Sequence, residues 1–391
     1  MQKIILFLML TILLFSSAGC WDLQEIDDKT VTTAIGYDLE GNNRLRFSSL
    51  YTVPSFPGET SSVSQAKPVL TISSDYSGAM AARRTMLSLS KVPEYAHIRS
   101  IVLGDNLVKN NLPLMVDLLT RNRNFSPNTS LLVSVDSHPE EILALVNDSD
   151  QSLQMMVVFN ELQLGIYVPV TIYDFIFKLL TPGIEPVMPQ ITIEAKKPDN
   201  QSASFSDQVE SLAAGKKKLA LHHTAVFKKD KKVGFLNEYE SRGLRWLNSR
   251  TKTGGVIVIK SPSDASAYTA LEILCFHSNT RALVDGGQIK MQINIKARLA
   301  MNENTGGVNN ITKDVLGDME QTANQEIARQ IKSCIRKSQS LNSDVLGWGL
   351  LLLQYEPDIW KQVKGDWNHI YPRVPYEVIA ETSIIHTYFS K

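Results

Sequence analysis

The chain has 391 residues, and its 40 lysines and arginines balance 40 aspartates and glutamates. A balanced charge gives no overall electrostatic field that would recruit nucleic acid. Three cysteines in so long a chain cannot form the dense disulfide framework of a small secreted domain. The apolar fraction of 43% is typical of a globular chain with hydrophobic cores.

Residues 1–22 have the layout of an export signal. Lys3 supplies a positive start, residues 4–15 form an almost unbroken apolar run, and small residues then lead to Cys20. This run is too short for a membrane-spanning helix, which needs ~20 apolar residues. Ala18-Gly19-Cys20 is the tail of a lipobox, although Ser17 stands where leucine is usual.

We therefore predict that residues 1–19 are a lipoprotein signal peptide and that Cys20 is acylated after cleavage. A single acyl chain binds a bilayer only marginally, so stable anchoring requires the additional chains that a diacylglyceryl thioether supplies. The alternative is ordinary signal cleavage near Ala18, which would leave Cys20 as an unmodified thiol.

Strand and helix patterns alternate along the first part of the mature chain. Strands are predicted over 30–38, 45–53, 69–73, 98–104 and 131–135, and helices over 77–90 and 106–123. This alternation favours a sheet with helices packed on it.

Three further helices precede the next strand. Ser137-His138-Pro139-Glu140 predicts a helix start, with serine at the N-cap, proline in the first turn and glutamate three positions on. A second helix is predicted over 151–164, and its Met155, Phe159 and Leu162 are expected to face the core rather than a cofactor. A third helix ends at Thr181-Pro182-Gly183, and a strand is predicted over 187–196.

The composition changes to Asn, Ser, Gln, Ala, Gly and Lys over residues 198–218, which is the most linker-like stretch of the chain. We therefore predict an N-terminal α/β region over 20–197, which would divide near residue 137 if it holds two subdomains. The remaining domain, over 219–391, is predicted to be α+β.

The C-terminal domain is predicted to combine an antiparallel sheet with a long helix laid across it. Strands are expected over 219–228, 256–260, 269–278, 288–300 and 376–387, and a further strand begins at Val233. Helices are expected over 238–247, 314–338 and 344–354. Cys275 lies in an apolar strand and Cys334 on the apolar stripe of the long helix, so both are expected to be buried free thiols.

The hairpin that opens this domain, together with the next helix, carries our structural or interaction candidates. Gly234 would let the return strand adopt an unusual φ or approach a neighbour closely. Glu240, Arg242 and Gly243 lie where the strand feeds the helix, and a Glu240–Arg242 pair would fix that corner. The basic segments 216–218 and 228–232 would face either anionic headgroups or solvent.

The sequence lacks the usual catalytic motifs. It contains no G-x-S-x-G elbow and no H-E-x-x-H helix. Gly215-Lys216 does not belong to a phosphate-binding loop, since Glu210 and Lys217 occupy positions that need Gly and Ser or Thr. His222 and His223 are adjacent on a strand, so they point to opposite faces and cannot share one ion. We therefore predict no catalytic residue, metal or cofactor.

Four groups of residues along the chain form a recognisable set. They are Cys20-Trp21-Asp22 with Glu25-Ile26, then Pro169 to Phe175 with Thr181-Pro182-Gly183 and Pro186 to Pro189, then Ala225 to Lys228 with Val233 to Asn237 and Glu240 to Leu244, and finally Asp344 to Gly349 with Trp360, Trp367 and the last strand. Together they resemble the Ger(x)C family of spore germination lipoproteins, the C subunits of nutrient germinant receptors.

The resemblance implies a membrane-anchored, non-enzymatic subunit on the outer face of the spore inner membrane. Such a subunit would act with an integral membrane A subunit and a transporter-like B subunit, which together respond to amino acids or sugars and trigger germination. The family fold of three mixed α/β domains is compatible with the predicted regions if the first one divides. Whether this chain contacts the nutrient stays open.

Two other functions stay open as well. An exported solute-binding lipoprotein would itself capture an amino acid or sugar, in an interdomain cleft with convergent polar and aromatic groups. A cell-envelope hydrolase would need a catalytic constellation that the sequence does not contain.

Overall fold

The computed structural model describes residues 29–52, 68–89, 91–148, 152–194, 217–247, 252–262, 264–306 and 312–386, together with isolated positions of the N-terminal leader. Cys20 lies outside the described residues, as do residues 195–216, which include most of the predicted linker. No helix within the described ranges is long and apolar enough to cross a bilayer.

Among the described residues, nine strands form the first sheet. They are β1 (Lys29–Glu40), β2 (Arg44–Thr52), β3 (Val69–Asp75), β4 (Val92–Glu94), β5 (Ser100–Gly104), β6 (Ser130–Ser134), β7 (Val187–Glu194), β8 (Lys218–Lys228) and β9 (Lys231–Leu236). They lie in the order β3-β2-β1-β5-β6-β7-β8-β9, and β4 pairs with the start of β1. Strands β1, β5, β6 and β7 run parallel, while β2, β3, β8 and β9 are antiparallel to their neighbours, so the sheet is mixed.

Helices cover both faces of this sheet. They are α1 (Gly78–Arg84), α2 (Asp105–Asn110), α3 (Leu112–Arg121), α4 (Pro139–Asp148), α5 (Leu153–Leu164) and α6 (Ile172–Leu180). Ile101 packs in one core with α1, α2, α3 and α6, whereas its neighbour Val102 packs in another core with α4 and α5. Successive strand residues face opposite sides, so a strand buried on both faces is apolar throughout.

One predicted helix is interrupted. The pattern over 106–123 predicted a single helix, but the chain forms α2 and α3 with a break at Asn111. Pro113 explains the break, because proline has no N–H to donate to the preceding turn.

Helix α5 exposes the side chains that were expected in the core. Met155 and Phe159 are each 60% exposed and Leu162 is also exposed, whereas Leu153 and Val157 are buried. The helix is apolar around most of its circumference. Spacing alone therefore cannot select the buried face, and the prediction for this stripe is wrong.

The first sheet extends beyond the predicted linker. Strands β8 and β9 belong to the region that the sequence assigned to the C-terminal domain, yet β8 pairs antiparallel with β7, with Ala225 opposite Met188. Backbone hydrogen bonds therefore join the two predicted regions.

In the described C-terminal half, four strands form a second sheet with helices packed on it. The elements are α7 (Glu238–Leu247), β10 (Val256–Ser261), β11 (Asp264–Asp285), β12 (Gln288–Asn304), α8 (Lys313–Ser340), α9 (Trp348–Tyr355), α10 (Pro357–Val363), α11 (Trp367–Ile370) and β13 (Tyr376–His386). Strands β11 and β12 form a hairpin whose turn residues Gly286 and Gly287 have φ of 54° and 82°. Positive φ at both positions is typical of such a two-residue turn.

Helix α8 lies across the second sheet as predicted. Met319, Ala323, Ile327 and Ile331 on its apolar stripe share a core with the strands. In one detail the sheet differs from the expected antiparallel arrangement, since β13 runs parallel to β12. Helices α8 to α11 lie between these two strands in the chain and carry it back to the end of the sheet where β12 began.

Cys334 is buried as expected, but Cys275 is exposed. A register shift between Ile273 and Cys275 interrupts the alternation of β11. Such a bulge redirects the following side chain, and Phe276 takes the buried position in its place. The predicted α+β class, with a mixed sheet followed by a second sheet under a long helix, is confirmed.

Candidate functional site

The residues singled out in the sequence lie at the junction of the two sheets, where α7 begins with a reciprocal capping box. The Asn237 N–H donates to Glu240 Oε2 at 2.9 Å, and the Glu240 N–H donates to Asn237 Oδ1 at 2.9 Å. These bonds satisfy two amide groups that lack intrahelical partners at a helix start. Glu240 thereby fixes the direction in which β9 feeds α7.

Among the described residues, the expected Glu240–Arg242 ion pair does not form. Arg242 instead donates from Nη2 to the carbonyl oxygen of Leu164, at 3.1 Å. Residues two apart on a helix point in different directions, which explains why the two side chains do not meet. Burial lowers the pKa of the Arg242 guanidinium, against the opposing effect of nearby carboxylates. Arg242 therefore ties α7 to the end of α5.

Gly243 allows α7 and α8 to approach at backbone distance. A Cβ at this position would lie 2.2 Å from the Gln330 carbonyl oxygen and 2.7 Å from the Cβ of Cys334. Beside this contact, Trp246 Nε1 donates to Gln330 Oε1 at 2.9 Å. Leu244 belongs to the core of the first sheet and Trp246 to that of the second, so α7 joins the two cores.

Gly234 lets β9 approach the end of α8. A Cβ there would lie 2.8 Å from Leu341 Cδ2, and the φ of Gly234 is not in the left-handed region. Of the two roles open from the sequence, close approach is the one that applies.

Asp344 is a central residue of the junction that sequence reasoning missed. It is buried, and its carboxylate accepts from the N–H groups of Trp348 (3.0 Å) and Gly349 (2.8 Å) and from Trp367 Nε1 (3.0 Å). Burial raises the pKa of Asp344 to about 7, although these donors act in the opposite direction. An aspartate a few residues before the helix Trp348–Tyr355 could have suggested a cap, but the bond to Trp367 is not visible in the sequence.

Two groups of residues that carry the family resemblance meet at this junction. Gly183, at φ 79°, would place a Cβ 2.4 Å from the Gly349 carbonyl carbon, so no larger residue fits there. The Leu350 N–H donates to the Gly183 carbonyl at 2.7 Å, and the Glu185 N–H donates to that of Asp344 at 2.9 Å. The loop after α6 is thus bonded to the start of α9.

Two cavities of about 690 and 760 Å³ open on either side of Pro182 and Gly183. The first is bounded by Trp360 and Trp367 and by three lysines, Lys229, Lys361 and Lys364. The second lies between α3 and α6 and carries the carboxylates of Asp117, Glu185 and Asp230.

The two histidines have separate surroundings, as the strand alternation predicted. His222 bonds Glu238 through Nδ1 (2.6 Å) and Glu194 through Nε2 (2.7 Å), while His223 packs edge-on against Phe235. Partial burial alone would lower the pKa of His222, but the two carboxylates outweigh it and raise that pKa. Within the described ranges, no group of three or more His, Cys, Asp or Glu side chains is arranged to hold a metal ion.

The fold and the junction define an α+β protein of two sheets joined through α7 and through the loop after α6. Residues 22–193 match the family profile described as "Spore germination protein N-terminal domain", and residues 222–388 match "Spore germination B3/GerAC like, C-terminal". Together the two profiles cover most of the chain, so the chain belongs to the GerAC-like family of spore germination proteins.

Full-length relatives and a solved structure agree with this family. The chain is 22% identical to "Spore germination protein KC" of Bacillus subtilis (strain 168), covering 99% of this chain and 96% of that one. It is 20% identical to "Spore germination protein B3" of the same organism, covering 97% of both chains. The crystal structure of the GerBC protein superposes with a TM-score of 0.56 at 18% identity, covering 93% of this chain and 100% of that one, and so shares the fold.

Proposed function

We propose that this protein is the lipid-anchored, non-catalytic C-type subunit of a spore nutrient germinant receptor. It would be held by Cys20 on the outer face of the spore inner membrane and act there with A-type and B-type membrane subunits. The observation that carries this proposal is the match to spore germination proteins over nearly the whole length of both chains.

The candidate residues at the junction form contacts within the chain itself. Glu240 caps α7, Gly234 lets β9 approach the end of α8, and Gly243 lets α7 approach α8. The Asp344 carboxylate accepts hydrogen bonds from three donors of its own chain. Coupling between nutrient binding and germination would require partner contacts that differ between two states of the receptor.

The lipid anchor is tested by Cys20→Ser in the full-length protein. Serine cannot form the thioether, so we expect the variant to leave the membrane fraction of spores and nutrient-triggered germination to fall. Cys275→Ser is the matched control, because Cys275 is an exposed free thiol in the described body. A Cys20→Ser protein that stays in the membrane fraction and supports normal germination would contradict the proposal.

A second candidate is a solute-binding lipoprotein that itself captures the nutrient. The cavity of about 690 Å³ beside Pro182 and Gly183 favours it, because Trp360, Lys361 and Lys364 from the region of α10 meet Lys229 of the β8–β9 turn there. A pocket of this size with apolar walls and few polar groups is typical of small-molecule sites.

Calorimetric titration of the mature protein with amino acids and sugars separates the two candidates. Saturable binding of one compound that is lost in Lys364→Ala would favour capture by this chain. Heats indistinguishable from dilution would favour the role in protein contact.

A further inference from the structure

The described body begins close to the point where a lipid at Cys20 would hold it. Residues 21–28 are all that separate Cys20 from Lys29, the first residue of β1. Fully extended, such a segment spans about 30 Å. The corner around Lys29 must therefore stay within that distance of the bilayer, if Cys20 carries the lipid as proposed above.

Apolar side chains project from this corner. Lys29 pairs with Val92 in β4, and the chain reaches β4 from the turn after α1. In that turn Leu87 is 87% exposed and Met86 is 43% exposed, and Val92 is 48% exposed. A leucine with almost its whole surface in water is unfavourable by roughly 2 kcal/mol relative to burial.

A cavity of about 520 Å³ opens beside these residues. Its walls are apolar and aromatic, formed by Phe47, Tyr95, Phe125, Met86 and Val92. Arg83, Arg121 and Asp117 also line it, and because Asp117 pairs with Arg121, Arg83 supplies the net positive charge next to the apolar interior. This combination matches a phospholipid, whose phosphate is joined to acyl chains.

Counted over the described residues alone, the charge of the corner is positive. Three of its cations are paired with acids, as Lys29–Glu94 at 3.1 Å, Arg84–Asp75 at 2.5 Å and Arg121–Asp117 at 2.6 Å. In the described part of the chain, Arg83 and Lys91 have no such ion pair. These two residues leave an excess of positive charge beside the exposed apolar side chains.

We propose that this corner rests on an anionic phospholipid surface, with Met86 and Leu87 at the boundary between headgroups and acyl chains and with Arg83 and Lys91 against phosphates. The lipid on Cys20 supplies the anchor, and the corner sets how the body is oriented above the bilayer. The basic turn between β8 and β9 is a poorer candidate, because β9 lies at the opposite edge of the first sheet from β1 and β4.

The test uses the mature chain with Cys20→Ser, so that no acyl chain contributes to binding. Vesicles of equal parts phosphatidylglycerol and phosphatidylcholine are compared with phosphatidylcholine alone, and the bound fraction is measured by flotation. We expect binding to the anionic vesicles that weakens as salt is added. Leu87→Glu and Arg83→Glu should each weaken this binding about tenfold or more.

Matched controls place the same changes elsewhere. Phe159→Glu adds a carboxylate to the exposed face of α5, on the other face of the sheet, and Lys231→Glu reverses a charge at the far edge. Both controls should bind as well as the starting protein. Leu87 and Arg83 are exposed, so unchanged circular dichroism and urea unfolding will show that their variants are folded.

Several outcomes would overturn the proposal. The first is no binding to anionic vesicles at low salt. The second is a loss of binding in the two controls as large as the loss in Leu87→Glu and Arg83→Glu, and the third is a loss in Lys231→Glu alone. Sedimentation velocity provides a further contradicting outcome. If Leu87→Glu dissociates a dimer and leaves vesicle binding intact, the corner binds a second copy of the chain and not a membrane. The lipid anchor is tested separately by fractionation of spores carrying Cys20→Ser. The proposed anchor and the proposed membrane contact of the corner can therefore fail independently.

Discussion

Asp344 concentrates three hydrogen bonds on one buried carboxylate. Two come from the first turn of α9, and the third comes from the indole of Trp367 on α11. Its position near these donors fixes where α9 and α11 start relative to each other. Removing the carboxylate would leave three N–H groups without an acceptor in a buried site, which costs several kcal/mol.

The raised pKa of Asp344 makes its contribution to stability depend on pH. A carboxyl whose folded pKa of about 7 exceeds its unfolded value of 3.8 favours the folded state at low pH. That contribution is lost as the pH rises from the unfolded value to the folded one. We therefore expect the protein to lose on the order of 2–3 kcal/mol from this group between pH 5 and pH 8.

Asp344→Asn isolates this effect, because asparagine does not titrate. The measurement is the free energy of urea unfolding of both proteins at pH 5 and at pH 8. The original protein should lose stability relative to the variant as the pH is raised, while groups common to both cancel. A stability difference that is equal at the two pH values would show that the buried carboxyl does not titrate in this range.

At the scale of the secondary structure elements, the contact between α7 and α8 depends on Gly243. In Gly243→Ala the added Cβ would meet Gln330 backbone atoms at 2.2 and 2.8 Å, and backbone cannot move aside as a flexible side chain can. We expect a loss of about 1–3 kcal/mol or more in the free energy of unfolding. This loss of stability is measured by thermal and urea unfolding.

Gly317→Ala is the matched control for Gly243→Ala. Gly317 lies on an exposed position of α8, and a Cβ there would meet nothing within 4 Å. Alanine has the higher helix propensity, so this variant should be as stable as the original or up to about 1 kcal/mol more stable. Equal losses in the two variants would mean that close helix packing is not the cause.

The sequence best predicts those elements whose pattern is formed by residues close together in the chain. The long apolar stripe of α8 was predicted because helical spacing acts within a few residues. The orientation of α5 could not be predicted, since Met155 and Val157 are equally apolar and only the sheet beneath selects between them. The exposure of Cys275 depends on a bulge set by pairing with a distant strand.

The junction itself was predicted only in part. The sequence marked a corner at Glu240, Arg242 and Gly243, where the strand feeds the helix. The predicted Glu240–Arg242 pair was wrong, since Glu240 caps the helix together with Asn237. The partners could not be predicted, since Gln330 and Leu341 are distant in sequence from Gly243 and Gly234 and meet them only after folding. The same holds for Trp367, which bonds Asp344.

At the scale of the whole molecule, the two sheets are joined through shared cores. The core of the first sheet includes Leu244, Cys334 and Val345, which come from the C-terminal half. Trp246, two residues after Leu244 on α7, and Ile335, directly after Cys334 on α8, belong to the core of the second sheet. A mutation that destabilises the first sheet should therefore also destabilise the second sheet.

This coupling can be measured because the tryptophans are unevenly placed. Trp246, Trp348, Trp360 and Trp367 all lie in the C-terminal half, so a Trp21→Phe background makes fluorescence report that half alone. Ile101→Ala removes a fully buried side chain from β5 in the first sheet and should cost about 2–5 kcal/mol. We expect it to lower the urea midpoint seen by tryptophan fluorescence together with the midpoint seen by circular dichroism.

Coincident midpoints would identify one cooperative unit. Leu87→Ala, at an exposed position of the first region, is the control that should leave both midpoints in place. If Ile101→Ala shifts the dichroism and leaves the fluorescence midpoint unchanged, the two sheets unfold independently. The contacts of Gly243 and Asp344 would then hold the two halves together without coupling their stabilities. A conformational change in one sheet would then not be transmitted to the other through the cores.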